Sequence, residues 1–265
     1  MPEELLVFYH PDTLSEICSL KAYLAAKGGG ADTVDAWIRM VATNRLTGHS
    51  PGFFSVYTLP PNQAVTLASQ KRINAKRQQT PGYRNVPELI LRKSRSLLSR
   101  LTQEERDILR EAGSRARILT ASCENTPALE SGSIALAVTS PPFLDTVDYA
   151  TDNWLRCWFN AIPPDDIPIW KLRKAERWQE RMSAVFGELR RVLRQGGHVA
   201  FEVGEVRGGK LRLEELIIPA AEAAGLEPVL VLINTQDFTK TANCWGVDNL
   251  KKGTNTNRVV LLRKP

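Results

Sequence analysis

The spacing of apolar positions changes character near residue 115. Before that point apolar residues recur every three or four positions, the period of amphipathic helices. Leu14, Ile17, Leu20 and Leu24 mark a first helix, capped by Asp12 or Thr13 and stopped by Gly28-Gly-Gly30. Val34, Trp37, Ile38 and Val41 mark a second, over about residues 32–44. A helix over residues 86–99 follows the Thr80-Pro-Gly82 turn, and Thr102-Gln-Glu-Glu105 is a capping box for one that runs to Ala112.

Beyond residue 115 short apolar runs alternate with helical patterns. Arg117-Ile-Leu-Thr120 and Ile134-Ala-Leu-Ala-Val138 read as strands, the second apolar enough to be buried on both faces. Helical patterns cover residues 150–162 and 178–193. The latter ends at Arg194-Gln-Gly-Gly197 and leads into a strand over 198–203. A helix over 213–224, stopped by Gly225, precedes strands at 228–233 and 258–262. Strands separated by helices predict an α/β domain with a doubly wound, mostly parallel sheet, its last strands forming an antiparallel edge. The division is a helical region over 1–114 and a sheet domain over 115–265.

Composition changes this picture little: 43% hydrophobic and 24% charged residues describe an ordinary soluble chain. No apolar run has membrane-spanning length, and Met1-Pro-Glu-Glu4 lacks the basic start of a secretory signal, so a cytoplasmic protein without a membrane partner is expected. The four cysteines form no CxxC pair and none follows a proline, while the three histidines are dispersed; no metal site is expected.

Charge changes it more. Lys71, Arg72, Lys76, Arg77, Arg84, Arg92, Lys93, Arg95 and Arg100 face only Glu88 in residues 71–100, a local +8 on a chain of net +6. Such a block is the footprint of a polyanion, and Lys71, Arg72, Lys76, Arg77, Arg92 and Lys93 are candidate contacts to a nucleic-acid backbone. A solvated helix face is the alternative. Phe53, Phe54 and Tyr57, just upstream, either stack on bases or anchor this region onto the sheet domain.

The chemistry-bearing stretch is Thr139-Ser-Pro-Pro-Phe143, directly after the apolar strand. Ligands bind beyond the carboxyl ends of strands in open parallel sheets, and two prolines make a rigid turn there. An exocyclic amino group of a nucleobase is a poor nucleophile because its lone pair is delocalised into the ring. Acceptors that pull on its two N–H hydrogens turn the lone pair outward. The Ser140 hydroxyl and the Pro141 carbonyl are candidate acceptors, held by Pro142, with Phe143 stacking on an extruded base. A plain Ser-Pro-Pro turn is the other reading.

The motif resembles the TSPP(Y/F) form of the DNA amino-methyltransferases, and Leu193-Arg-Gln-Gly-Gly197 is similar to that family's L-x-x-G-G turn. The resemblance covers roughly 115–265. It implies a partial methyltransferase-like, Rossmann-like sheet, S-adenosylmethionine as cofactor beside Thr139 and Ser140, and DNA as partner, in DNA methylation of the restriction–modification kind. It also implies that Asp145, Asp148, Tyr149 and Trp154 form a loop closing over the target base. The serine form favours cytosine N4 over adenine N6.

One departure stands out. The family's glycine loop (D-P-F-x-G-x-G-T) and ribose-binding acid are absent from the sequence. Gly28-Gly-Gly30 has neither the strand before it nor the spacing, Phe201-Glu-Val-Gly-Glu205 lies beyond the Gly-Gly turn, and Ala121-Ser-Cys123 stands where an adenine-contacting aspartate is expected. A second polypeptide supplying that half, or a homo-oligomer, is therefore expected. Two functions stay open: a DNA amino-methyltransferase, or the catalytic part of a split one; and a non-catalytic nucleic-acid-binding module. The polar stretch 234–257, with Asn243 and Trp245, either meets a base or ribose or is a self-capped hairpin loop.

Overall fold

The computed structural model describes residues 1–28, 32–58, 66–142, 144, 149–163, 166–170, 172–206, 210–235 and 256–265. They fall into two compact units, Met1–Ala116 with Asp148–Ile169, and Arg117–Val147 with Trp170–Pro265.

The first unit is helical. A 3-10 helix, Glu3–Val7, precedes α1 (Pro11–Lys27), α2 (Thr33–Thr43), α3 (Leu67–Arg77), α4 (Val86–Leu98) and α5 (Gln103–Arg115). Asp32 caps α2 and, as the sequence predicts, Thr102 with Glu105 closes the capping box of α5. The cap of α1 is His10 rather than Asp12 or Thr13, because Pro11 occupies the first turn and moves the start upstream. The segment 148–169, assigned from sequence to the sheet domain, belongs to this unit: Leu155 and Phe159 of α6 (Tyr149–Asn160) are buried among Phe8, Tyr9, Ile17 and Phe54. Phe53 and Phe54 are buried too, so they are core side chains and offer no ring to a base.

The second unit is a mixed sheet of β1 (Ile134–Thr139), β2 (Leu193–Val203), β6 (Thr256–Arg263) and β5 (Glu227–Thr235), in that spatial order, with a small ribbon of β3 (Glu205–Val206) and β4 (Leu211–Arg212). β1 and β2 pair in parallel, and β6 runs antiparallel to both β2 and β5, so β1, β2 and β5 share one direction. The sheet is mostly parallel, as expected; what is corrected is the place of its antiparallel strand, which lies inside the sheet, between β2 and β5, rather than at the edge. No strand forms over 117–120, where a short apolar run finds no partner and Ile118 stays 93% exposed.

Helices α7 (Ala175–Val192) and α8 (Glu214–Ala223) join these strands. Trp178, Met182, Val185 and Phe186 of α7 and Ile217, Ala220 and Ala221 of α8 pack with Val199, Phe201, Val203, Val260 and Leu262. Alternate residues of a strand face opposite ways, so these positions define one covered face. The doubly wound expectation fails here, because among the described residues the opposite face is bare. On it Val138 stands beside Ala200, Ala200 beside Leu261 and Leu261 beside Leu230. Leu136, Val138, Leu230 and Leu232 are 55%, 74%, 43% and 60% exposed. The expectation that β1 is buried on both faces is corrected accordingly.

Residues 194–197 bulge out of β2, whose pairing with β1 jumps from Leu193 to His198. Gly197 makes this possible: a Cβ there would stand 2.8 Å from the Arg194 carbonyl oxygen and 3.2 Å from those of Ile134 and Ala135 in β1. The glycine lets the two parallel strands approach just where they begin to pair.

Candidate active site

Strand β1 delivers Thr139 at its carboxyl end and passes directly into Ser140, Pro141 and Pro142. Proline has no N–H, so residues 141 and 142 contribute carbonyls but no backbone donor. The turn must be held from outside. The indole of Trp178, in the first turn and a half of α7 and 2% exposed, donates its N–H to the Pro142 carbonyl at 2.9 Å. Two residues on, Leu144 is buried with Trp178 in the sheet unit's core. Among the described residues neither the Ser140 hydroxyl nor the Pro141 carbonyl has a hydrogen-bond partner. Thus a pair of acceptors stands open on a turn fastened at its far end.

The same helix fastens the approach to β1. Arg191 donates to the carbonyls of Thr126 (3.0 Å) and Leu129 (2.9 Å) and to the Ser131 hydroxyl (3.1 Å), and the Gly132 N–H donates to the Arg191 carbonyl (2.9 Å). Its guanidinium is paired with Glu188 at 2.7 and 2.8 Å, and the Thr126 N–H and hydroxyl both donate to that carboxylate. Hydrogen bonding from Arg191, then from Thr126, outweighs burial and brings the Glu188 carboxyl pKa down to about 2. Between this clamp and the turn lies a cavity of about 230 Å³, walled by Thr139–Pro142, Phe201 and the Met182, Val185 and Glu188 face of α7. Its walls are mainly apolar, and its size is at the small end for a ligand site.

Residues 139–142 are thus brought together. Phe143, Asp145 and Asp148 lie outside the described residues, as do Asn243 and Trp245. Tyr149 begins α6 and belongs to the helical unit, as does Trp154, which packs against Phe8. Beside Tyr149 is a second cavity of about 300 Å³, whose Asn153, Arg156 and Asn160 are already bonded: Arg156 to Asn153 at 3.0 Å, Asn160 to Thr43 at 3.1 Å.

Of the basic set, Lys71, Arg72, Lys76 and Arg77 are exposed on α3, and α4 carries exposed Arg92 and half-buried Lys93. Arg77 lies over the Tyr57 ring, 3.7 Å from its centroid, and Arg72 donates to Ser69 at 3.1 Å. Lys76 and Arg77 also fill the last turn of α3, where cations suit the helix dipole. Among the described residues no cluster of His, Cys, Asp or Glu can hold a metal ion, and no described helix is long and apolar enough to cross a membrane.

Trp178, Glu188 and Arg191 escape a motif search. Trp178 shares the apolar stripe of an amphipathic helix with Met182, Val185 and Phe186, so its polar atom is hidden in a core pattern. Glu188 and Arg191 read as an ordinary i, i+3 pair.

No protein-family model and no curated protein matches the chain in sequence. Among solved structures it resembles a protein of Thermus thermophilus, provisionally described as a DNA modification methylase, at 21% identity and a TM-score of 0.32, over 52% of this chain and 47% of that one. A further structure of the Thermus protein holds S-adenosyl-L-methionine. A second resemblance is to a SAM-dependent methyltransferase of Thermotoga maritima, at 15% identity and a TM-score of 0.33, over 62% and 70% of the two chains. A third is to the [4+2]-cyclase SpnF, at 14% identity and a TM-score of 0.33, over 61% and 62%. The chain spans about half the length of the Thermus protein. Likenesses this distant decide nothing about activity, which must be argued from the site.

The clamp makes one prediction. The folded carboxyl pKa of Glu188 lies below its ordinary 4.5, so its contribution to stability is complete above about pH 4.5 and fades as pH falls toward 2. Glu188→Gln should destabilise the protein by about 1–3 kcal/mol at pH 7. Thermal melts of the two proteins should converge as the pH is lowered from 4.5 to 2.5; a gap that does not depend on pH counts against the clamp.

Proposed function

We propose that this chain supplies the base-binding half of an S-adenosylmethionine-dependent DNA methyltransferase acting on an exocyclic amino group, cytosine N4 rather than adenine N6. One observation carries it: the Ser140 hydroxyl and Pro141 carbonyl, unpaired among the described residues, on a buttressed turn at the carboxyl end of β1. Two fixed acceptors match the two N–H bonds of an amino group. Engaging both withdraws the nitrogen from conjugation and directs its lone pair away from the ring. The family resemblance assigns Phe143 to stacking on the base and Asp145, Asp148 and Tyr149 to the loop closing over it; Asn243 and Trp245 are proposed contacts to a base or ribose. The serine in the motif, through the family resemblance, favours cytosine.

The cofactor supplies an electrophilic methyl group. Thr139 and Ser140 fit its methyl-donating side, but the sequence has no glycine loop or ribose carboxylate for its adenosyl side. We assign those contacts to a second polypeptide that adds a strand to β1. That edge is unpaired among the described residues, and the bare face beside it is apolar. A single occupant answers both needs: a parallel strand on β1 whose following helix packs back over the face. The exposed apolar area, on the order of a few hundred Å², is about half of what one side of a stable interface buries, and the new strand ladder adds the remainder. The exposed cations of α3 and α4 contact the DNA backbone.

Labelled S-adenosylmethionine and unmethylated duplex DNA test the reading on the chain reconstituted with the second polypeptide, with mass spectrometry of the digested nucleosides. The expected product is N4-methylcytosine, falling about 10²–10³-fold in Ser140→Ala with the melting temperature unchanged. N6-methyladenine would overturn the choice of base, and equal rates in both proteins the site. DNA binding without turnover would favour the non-catalytic module, the reading that the missing glycine loop supports.

By calorimetry, the isolated chain should bind S-adenosylmethionine only weakly. Two or three missing charge-assisted hydrogen bonds at about 1.5–3 kcal/mol each remove several decades of affinity, so sub-micromolar binding by a monomer would refute the two-polypeptide assignment.

Neutralising Lys71, Arg72, Lys76 and Arg77 together should weaken DNA binding regardless of sequence. The log–log salt slope should become shallower by about 0.9 for each phosphate that is no longer neutralised. Unchanged affinity and slope would leave α3 a solvated face.

A further inference from the structure

We propose that Trp178 is the positioning residue of the Ser-Pro-Pro turn, its indole N–H holding the Pro142 carbonyl so that the Ser140 hydroxyl and the Pro141 carbonyl face the amino group. The role deepens the methyl-transfer reading and depends on it for its purpose, but the contact stands by itself. The N–H lies 2.9 Å from the carbonyl oxygen and the ring that carries it is 2% exposed, so the donor side of the bond is shielded from water. An indole nitrogen is a donor only. It can take a carbonyl out of circulation and cannot compete with the acceptors upstream.

The geometry explains why this task falls to a side chain. A turn in a protein is normally pinned through its own N–H groups, but two consecutive prolines offer none. Leu144, buried in the same core as the indole, anchors the chain just beyond the motif, so residues 142 and 144 are fixed on either side of position 143. Upstream, Thr139 is still paired with Phe201 in the ladder. The two acceptors therefore lie between a strand and a hydrogen bond from a buried donor, with little freedom to swing. Trp178 enters the core at the start of α7, where the Trp178 N–H donates to the Lys174 carbonyl at 3.0 Å, so the ring is set by the first regular turn of the helix.

Trp178→Phe keeps an aromatic ring in the core and removes the donor. In hydrogen-exchange measurements on the intact chain, the amide of Leu144 should lose protection by about tenfold or more, while amides of β2 and the middle of α7 keep theirs. In the methyl-transfer assay kcat should fall about 10–100-fold with KM for DNA nearly constant, as for a misaimed rather than a weakened site. Unaltered protection around the turn would overturn the positioning role whatever the activity. Loss of protection throughout the sheet unit would also overturn it, making the tryptophan merely structural. If protection falls only at the turn and the wild type transfers no methyl group, the methyl-transfer reading fails and the hold on the turn stands. Should the variant not fold, exchange of the wild-type Trp178 indole proton decides: slow exchange, matching the core amides, supports the bond, and exchange as fast as that of a free indole refutes it.

Discussion

A parallel pair of strands cannot close through a tight turn; the chain must cross over the sheet between them. Here that crossover between β1 and β2 contains α7, and most of what shapes the candidate site follows from where this helix lies. Its apolar stripe packs on the covered face of the sheet, with Phe186 stacked near Phe201 at a centroid distance of 4.9 Å. Its first turns place Trp178 at the exit of β1, and its last turn places Glu188 and Arg191 at the entrance. The helix that closes the topology therefore also braces the strand at both ends, and a cavity remains between the braces.

The bare face gains meaning from the same geometry. A sheet containing a parallel pair is normally covered on both sides, and α7 and α8 both pack on one. The uncovered row runs across all four strands as Val138, Ala200, Leu261 and Leu230, without a charge. Charges begin only in the flanking rows, with Glu202 on one side and Arg263 and Glu227 on the other. An apolar stripe with a polar border is the pattern of a surface built to be covered, and it ends at the unpaired edge of β1, the strand that carries the motif.

Much of this was legible in the sequence. Helices with a marked stripe and clear caps stand close to where their spacing places them, and β1, β2, β5 and β6 coincide with the apolar runs. The sheet order was not, because a hydrophobic run records that a strand is buried but not which strand lies beside it; β6 is the last in sequence and sits in the middle. Ile134 to Val138 reads as a strand covered twice because its composition suits such a strand, and only the packing reveals that one cover is absent among the described residues. Residues 117–120 have strand-like composition but no neighbour, and composition alone cannot form a ladder. In the site, Ser140, Pro141 and Pro142 were legible because their chemistry is carried in consecutive residues. Trp178, 36 positions beyond Pro142, was not: a tryptophan on an apolar stripe looks the same whether or not its nitrogen has a task.

That distance in sequence bears on what the serine can do. A hydroxyl both donates and accepts, so Ser140 assists an amino group only if its own proton is directed elsewhere. The Pro141 carbonyl has no such ambiguity; it accepts only, and its orientation is a backbone property of the diproline. Of the two acceptors the carbonyl is therefore the fixed reference, and the hydroxyl turns to complement it. A carboxylate in place of the serine would accept unconditionally but would bring a full charge to the exposed rim of the cavity. The neutral hydroxyl suits the apolar wall formed by Met182, Val185 and Phe201. On the proposed reading, selectivity for an amino group would rest on the rigidity of one proline carbonyl, and that rigidity is conferred by whatever holds the turn.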